Sequence, residues 1–341
     1  GYLQPTPGGA TRVAPGITEA PRSDPPAEPA SFRYDLRPGR PDLTEFPRGA
    51  WLRSVKRVMA TAPAERLGYL EGRGVPELRA ALSDYLDRVR GTATDPADIV
   101  ITSGFIQSLQ LIARVMLRRG ASRVIVEDPW HADYRRALRA AGMEVVPVPV
   151  DEFGLRVDRL EGIEADLVVT TPAHQYPSGA VLPASRRAEL LAWATEHDAL
   201  IVEDDYDAEF RYDCEPIGAM QGLDCCRVIY AGTASKALAP GLRLGWLAVP
   251  EQLSGPLARA KLAADYASGA HDQMLIADFN PHGEHYRHLR RKRRLYSWRV
   301  ARGHDYGTFR DVLDEVLRLD GAEADEAEDG AHFEDGDGGP W

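Results

Sequence analysis

Cysteine is scarce in this chain of 341 residues: there are three, Cys214, Cys225 and Cys226. Two are adjacent and cannot bridge to each other without strain, so a disulfide scaffold is excluded and a reduced, cytoplasmic setting is expected. The thiols also lack the spacing of a metal centre, and no metal is expected. No apolar run reaches the roughly 18 residues of a membrane span. The N-terminus lacks the charged-then-apolar pattern of a secretion signal. A basic surplus is missing too. The net charge is −11, but nine acids and no Lys or Arg lie in residues 320–341, which leaves −2 for the rest. The body therefore offers no basic nucleic-acid surface. The whole chain is 44% hydrophobic and 27% charged, enough for one large core with smaller pieces attached.

Residues 1–31 are rich in Pro, Gly and Ala without periodicity, which predicts mostly linker. From Phe32 to about Tyr296 short β-branched runs alternate with helical patterns. The runs at 100–102, 123–127, 145–150, 166–170, 199–203, 228–230 and 244–249 read as strands. The segments 76–90, 104–118, 132–141 and 185–197 read as amphipathic helices. Near-continuous apolar strands between helices predict an α/β fold, a mostly parallel sheet covered on both faces. Ligands of such sheets sit at the carboxyl ends of the strands, and every motif below falls there. One main domain is expected over 32–285 and a shorter piece over 286–319. The latter includes a possible helix at 305–319 built on Phe309, Val312, Leu313, Val316 and Leu317. An acidic, Gly-rich tail at 320–341 is expected to be disordered.

The most informative stretch is Gly232 to Gly245, G-T-A-S-K-A-L-A-P-G-L-R-L-G. Lys236 stands in a small-residue turn after a strand, flanked by Thr233 and Ser235, with Arg243 following in a turn shaped by Pro240 and Gly241. A lysine that condenses with an aldehyde needs desolvation, which lowers its pKa. Hydroxyls and a fixed guanidinium suit a phosphate beside it. Upstream, Thr102-Ser-Gly-Phe-Ile-Gln-Ser108 follows a strand and opens a helix, where free N–H groups and the helix dipole favour an anion. Such a turn is also a common structural connection. Ile201 to Tyr212 carries carboxylates at the end of a buried strand, and a buried carboxylate without a partner is costly.

Together these segments resemble the class I/II aminotransferases, pyridoxal-phosphate (PLP) proteins of fold type I. The loop Thr171-Pro-Ala-His-Gln-Tyr-Pro-Ser-Gly179 resembles the variant found in the MocR branch of the GntR regulators. The resemblance implies that PLP forms an aldimine with Lys236, and that its phosphate meets Gly104, Phe105 and Ile106, with Thr233, Ser235 and Arg243. Asp204 then pairs with the pyridine nitrogen, Tyr206 donates to the ring oxygen, and Tyr176 lies in the cofactor-contacting loop. His131 of Glu127-Asp-Pro-Trp-His131 takes the ring-stacking position; its plain alternative is a loop histidine facing solvent. Tyr69, in Arg66 to Arg79, corresponds to the tyrosine that reaches the neighbouring subunit's phosphate, which implies a homodimer; the alternative is a helix-capping aromatic. Asp205, Asp207 and Glu209 are expected to be solvated or paired with Arg211.

The ends depart from a plain transaminase. Gly1 to Val13 resembles the last hairpin, or wing, of a GntR-type winged helix, the alternative being a Gly-rich leader without meaning, and residues 14–31 fit the linker that follows the wing in MocR proteins. The recognition helix of that module is not in the sequence, so the chain is not expected to read DNA itself. The C-terminal small domain is expected to be incomplete, a truncated or reframed copy. The arginine that holds a substrate carboxylate in this fold would fall beyond Trp341. Arg287 to Arg299 reads as the helix entering that domain, its charges a solvated face. Three functions follow from the resemblance: the PLP-binding part of a MocR-type regulator that senses or transaminates an amino compound, a free-standing transaminase, or a non-catalytic remnant that only dimerises.

Overall fold

Two short strands represent the first part of the chain, and a layered α/β arrangement the second. The structure is a computed structural model that describes residues 3, 4, 7, 9, 12, 13, 41–210, 217–279 and 283–303. The chain divides into units at 1–38 and 39–341. In the first, β1 (Leu3–Gln4) pairs antiparallel with β2 (Arg12–Val13), Leu3 opposite Val13.

In the second unit, α1 (Arg48–Thr61) and α2 (Pro76–Arg90) precede β3 (Ile99–Thr102). They are followed by α3 (Phe105–Arg118), β4 (Arg123–Asp128), α4 (Ala132–Ala140), β5 (Glu144–Asp151) and a short β6 (Gly154–Leu155). Next come β7 (Leu167–Thr170), α5 (Ala184–Glu196), β8 (Leu200–Asp205), β9 (Val228–Thr233) and β10 (Gly245–Ala248). Three helices close the described region: α6 (Glu251–Asp265), α7 (Ala270–Phe279) and α8 (Glu284–Gly303). Every expected strand and helix up to residue 249 is present. The segments α1, α6, α7 and β6 were not anticipated, and the possible 305–319 helix and acidic tail lie outside the described residues.

The main sheet has eight strands in the order β3-β10-β9-β8-β7-β4-β5-β6. β9, β8, β7, β4 and β5 run parallel, whereas β10 is antiparallel to both β3 and β9. Alternation along the strands sorts the core into two faces. Val124, Val126, Val202 and Ile229 join one cluster with α3 residues Leu109, Ile112 and Met116. Ile125, Val168 and Ile201 turn the other way, toward Leu190 and Trp193 of α5. Ile99, Ile101 and Trp246 pack on that same side against α2 and α7. Helices thus cover both faces, and the buried strands read as unbroken apolar runs because neither face meets water.

The helices start and stop where local chemistry dictates. In α3 the buried Phe105, Leu109, Ile112 and Met116 recur at helical spacing,. Pro76 occupies the first turn of α2, and Gly91 ends that helix in the left-handed conformation at φ 65,. The antiparallel β10 has a positional consequence: Gly245 lies opposite both Thr102 and Thr233. Arg243, just before it, therefore arrives at the edge where β3 and β9 end.

Candidate functional site

The turn between β3 and α3 is built to expose donors. The Ser103 N–H is taken by Gln107 Oε1 at 2.8 Å. The N–H groups of Gly104, Phe105 and Ile106 have no partner among the described residues. Three amides thus converge at the positive end of a fourteen-residue helix, an arrangement that selects an anion. Gly104 has φ 105, and a Cβ placed there would lie 3.0 Å from the Arg243 guanidinium. Arg243 is itself left-handed at φ 47. Opposite, Thr233 Oγ1 lies 2.9 Å from Ser235 Oγ and accepts the Ser235 amide at 3.2 Å.

Lys236 sits half-buried in the turn after β9. Burial lowers its pKa, and the nearby Asp207 and Asp204 carboxylates only partly oppose the shift. Asp204 lies on β8 with its side chain on the Val202 face; Glu203 and Asp205 point the other way. It is 5% exposed, and no hydrogen bond reaches its carboxylate among the described residues. Its pKa is raised well above the ordinary range by burial, then by Asp205, Asp207 and Glu127, with Lys236 pulling it down. Tyr206 Oη lies 3.2 Å from His174 Nδ1, and that nitrogen lies 2.7 Å from Asp207. Burial and the two aspartates raise the Tyr206 phenol.

An aromatic wall lines the site. His131 stacks on Tyr134 with centroids 4.4 Å apart and on Tyr176 at 5.5 Å. Tyr176 meets Tyr206 edge-on at 6.2 Å, and Tyr134 meets Phe105 at 5.0 Å. His131 also caps α4 by accepting the Asp133 amide. Its ring is 37% exposed, so it is neither a core histidine nor fully solvated. Tyr134, which feels both Asp204 and Arg243, escaped the sequence reading. Its signal was the i, i+3 spacing from His131 on one helix face.

The expected solvation of three acids near Asp204 needs correction. Asp205 is not solvated: its carboxylate lies 2.7 Å from Arg90 and accepts the Tyr230 hydroxyl at 2.6 Å. Asp207 is engaged by His174, and Glu209 accepts the Tyr85 hydroxyl at 3.2 Å, its pKa pushed up to about 7 by burial and by Asp205. Arg211 lies outside the described residues. The reason for the misjudgement is sheet alternation. A run of four acids and a tyrosine at a strand end sends members to both faces, and Arg90 arrives from α2, far away in sequence. A further acid was passed over. Glu127 is 1% exposed and accepts from Thr170 Oγ1, Thr171 N, Thr171 Oγ1 and Gln175 Nε2 at 2.5–3.2 Å. It knots the end of β4 to the 171–179 loop. Tyr69 stands apart from these groups in the single chain, 92% exposed with its ring 5.5 Å from Tyr266.

Residues 42–280 match the family model for aminotransferases of class I and II. The chain belongs to that family. Among relatives of this aminotransferase-family chain, the probable rhizopine catabolism regulatory protein MocR of Rhizobium meliloti is 36% identical over 268 residues, 78% of this chain and 54% of that one. The pyridoxine biosynthesis transcriptional regulator PdxR of Corynebacterium glutamicum is 33% identical over 309 residues, 88% of this chain and 66% of that one. The chain spans about half the length of most of these regulators. Among solved structures, the kynurenine aminotransferase of Pyrococcus horikoshii superposes with a TM-score of 0.70 at 30% identity, covering 76% of this chain and 67% of that one.

Aminotransferases of this family depend on pyridoxal phosphate, and the residues present fit it. Three open amides and Arg243 suit its phosphate. The buried Asp204, with no hydrogen bond among the described residues, suits a protonated ring nitrogen, and the half-buried Lys236 suits an aldehyde,. Among the described residues no group of His, Cys, Asp and Glu could hold a metal ion, and no helix is long and apolar enough to cross a membrane.

Proposed function

We propose that the chain is the aminotransferase-like part of a MocR-type regulator, binding pyridoxal phosphate at Lys236 and sensing or transaminating a small amino compound there. The single observation that carries this reading is the meeting of open amides, guanidinium, orphaned carboxyl and half-buried amine at one strand-end edge. The similarity to MocR and PdxR supports the regulatory setting.

In this reading Gly104, Phe105 and Ile106 take the phosphate with Thr233, Ser235 and Arg243. Tyr206 would donate to the ring oxygen, Tyr176 would contact the cofactor from the 171–179 loop, and His131 would lie against the ring. Asp204 would hold a proton on the ring nitrogen by offering its buried carboxylate as counter-charge,. When bound, pyridoxal phosphate supplies an aldehyde and an electron-withdrawing ring. Lys236 contributes an amine whose lowered pKa increases the unprotonated share at neutral pH,. The same nitrogen can carry a proton to and from a bound amino compound. The reading includes a cytoplasmic homodimer in which Tyr69 reaches the partner's phosphate. Its outward position supports that role. A winged-helix module upstream would supply DNA contact.

The test is spectroscopic. Added pyridoxal phosphate should produce a band at the visible edge that Lys236→Ala loses. Borohydride should then fix a pyridoxyl label on the Lys236 peptide. The sequence has only four lysines, at 56, 236, 261 and 292, so the labelled peptide is unambiguous. A label elsewhere, or none, overturns the reading. The fold's likeness to kynurenine aminotransferase favours a second reading, a working transaminase. It would reveal itself by spectra that cycle with an amino acid and then a keto acid.

A further inference from the structure

Arginine takes 37 of the 41 basic positions in this sequence, yet lysine is kept at 261. The Lys261 side chain, on α6, is fully buried. Its Nζ donates to Gln107 Oε1 at 2.6 Å, Asp265 Oδ2 at 2.7 Å and Ser268 Oγ at 2.9 Å. An ammonium has three hydrogens, and all three are used. Two of these acceptors lead to the β3–α3 turn. Gln107 Oε1 also takes the Ser103 N–H at 2.8 Å, and Ser268 Oγ lies 3.1 Å from Ser103 Oγ. Gln107 Nε2 closes the ring by donating to Asp265 at 2.8 Å. The guanidinium fork of arginine does not converge on three acceptors around one point, whereas an ammonium does.

We propose that Lys261 is the positioning residue of the phosphate end of the site. By clamping Ser103 and Gln107 from α6, it keeps the Ser103 amide occupied and the Gly104, Phe105 and Ile106 amides open and convergent. It also neutralises Asp265, whose carboxylate Gln107 ties to the same turn. This inference rests on the proposed cofactor reading and assigns a function to a buried charge that the reading leaves unused. A lysine serving only the packing of α6 would have no preference between ligands that carry a phosphate and ligands that lack one.

The test compares pyridoxal phosphate with pyridoxal, its counterpart without the phosphate, by absorbance titration of the full chain. For Lys261→Met the dissociation constant for pyridoxal phosphate is expected to rise roughly tenfold or more, as for loss of a hydrogen bond to a charged group. That for pyridoxal should change by less than about twofold. Gln107→Met and Ser268→Ala each cut one strand of the clamp, and they carry the same test if Lys261→Met does not fold. Equal losses for both ligands, or no loss for either, overturn the proposal while leaving the cofactor reading intact. Failure of the unaltered chain to take up pyridoxal phosphate overturns the cofactor reading and this inference with it.

Discussion

At Asp204 folding and function pull in opposite directions. A carboxyl that is 5% exposed and has no hydrogen bond among the described residues costs free energy in the cofactor-free protein,. Its folded-state pKa is raised above 3.8, so its contribution to stability is greatest at acid pH and is lost as pH rises through the raised value. Asp204→Asn removes that loss. The cofactor-free variant should be more stable at pH 8 by about 1–2 kcal/mol. The further stabilisation on adding pyridoxal phosphate should shrink, because the ring nitrogen loses its counter-charge. Thermal melts with and without cofactor at pH 5 and 8 check both halves; a variant destabilised at pH 8 without cofactor would contradict them. Gly104 makes a second case. With φ 105 and ψ 174 it occupies a region nearly closed to other residues, at a cost of about 1–3 kcal/mol for a side chain. An added Cβ would also crowd Arg243. Gly104→Ala should therefore weaken pyridoxal phosphate binding roughly tenfold or more, seen as a shifted absorbance titration.

Among the elements, α8 does more than its basic sequence suggests. His288, 3% exposed, has Nε2 2.8 Å from the Ala237 carbonyl. The buried Lys292 donates to the carbonyls of Lys236 and Ala237 at 3.3 Å. The helix thus holds the backbone of the lysine turn from behind. Burial pushes the His288 pKa down to about 4, so neutral imidazole is the folded form. A depressed folded-state value contributes stability above the unfolded value of 6.5, lost as pH falls toward 4. Over that window wild type should lose about 1 kcal/mol per pH unit more than His288→Gln, which keeps a donor but does not titrate. Denaturant melts at pH 7, 6 and 5 measure the difference, and parallel slopes would contradict it. The sequence revealed α8 only as a solvated basic face, because its two inward residues look like the rest of the charge run. Strands were the most legible elements, since burial on both faces leaves unbroken apolar runs. α6 and α7 were not legible: Pro256 interrupts the first, and the second is buried on nearly every side, which erases the polar stripe,. The site's strand-end residues, from Gly104 to Arg243, were visible because their chemistry requires particular residue types. Glu127 reaches Thr170, Thr171 and Gln175, and Lys261 reaches Gln107, through contacts distant in sequence that no local pattern encodes, whereas Tyr134 left only its spacing from His131.

For the whole molecule, the exposed tyrosine at 69 is the feature a single chain leaves unexplained. A ring 92% exposed, touching Tyr266 that is itself 67% exposed, is free to serve as half of an interface. If Tyr69 completes the partner's phosphate site, each site takes Lys236 from one chain and Tyr69 from the other. Tyr69→Ala alone should weaken pyridoxal phosphate binding about tenfold at both sites, and Lys236→Ala should abolish the labelled adduct. In mixed dimers of these two variants, one site receives an intact Lys236 and an intact Tyr69 while the other receives neither. Titration of the purified mixed dimer should therefore recover wild-type affinity at one site for every two chains. If Tyr69 instead served its own chain, no site in the mixed dimer would hold both residues and tight binding would not return. The two outcomes differ in stoichiometry as well as affinity, so a general weakening of the fold cannot imitate the first.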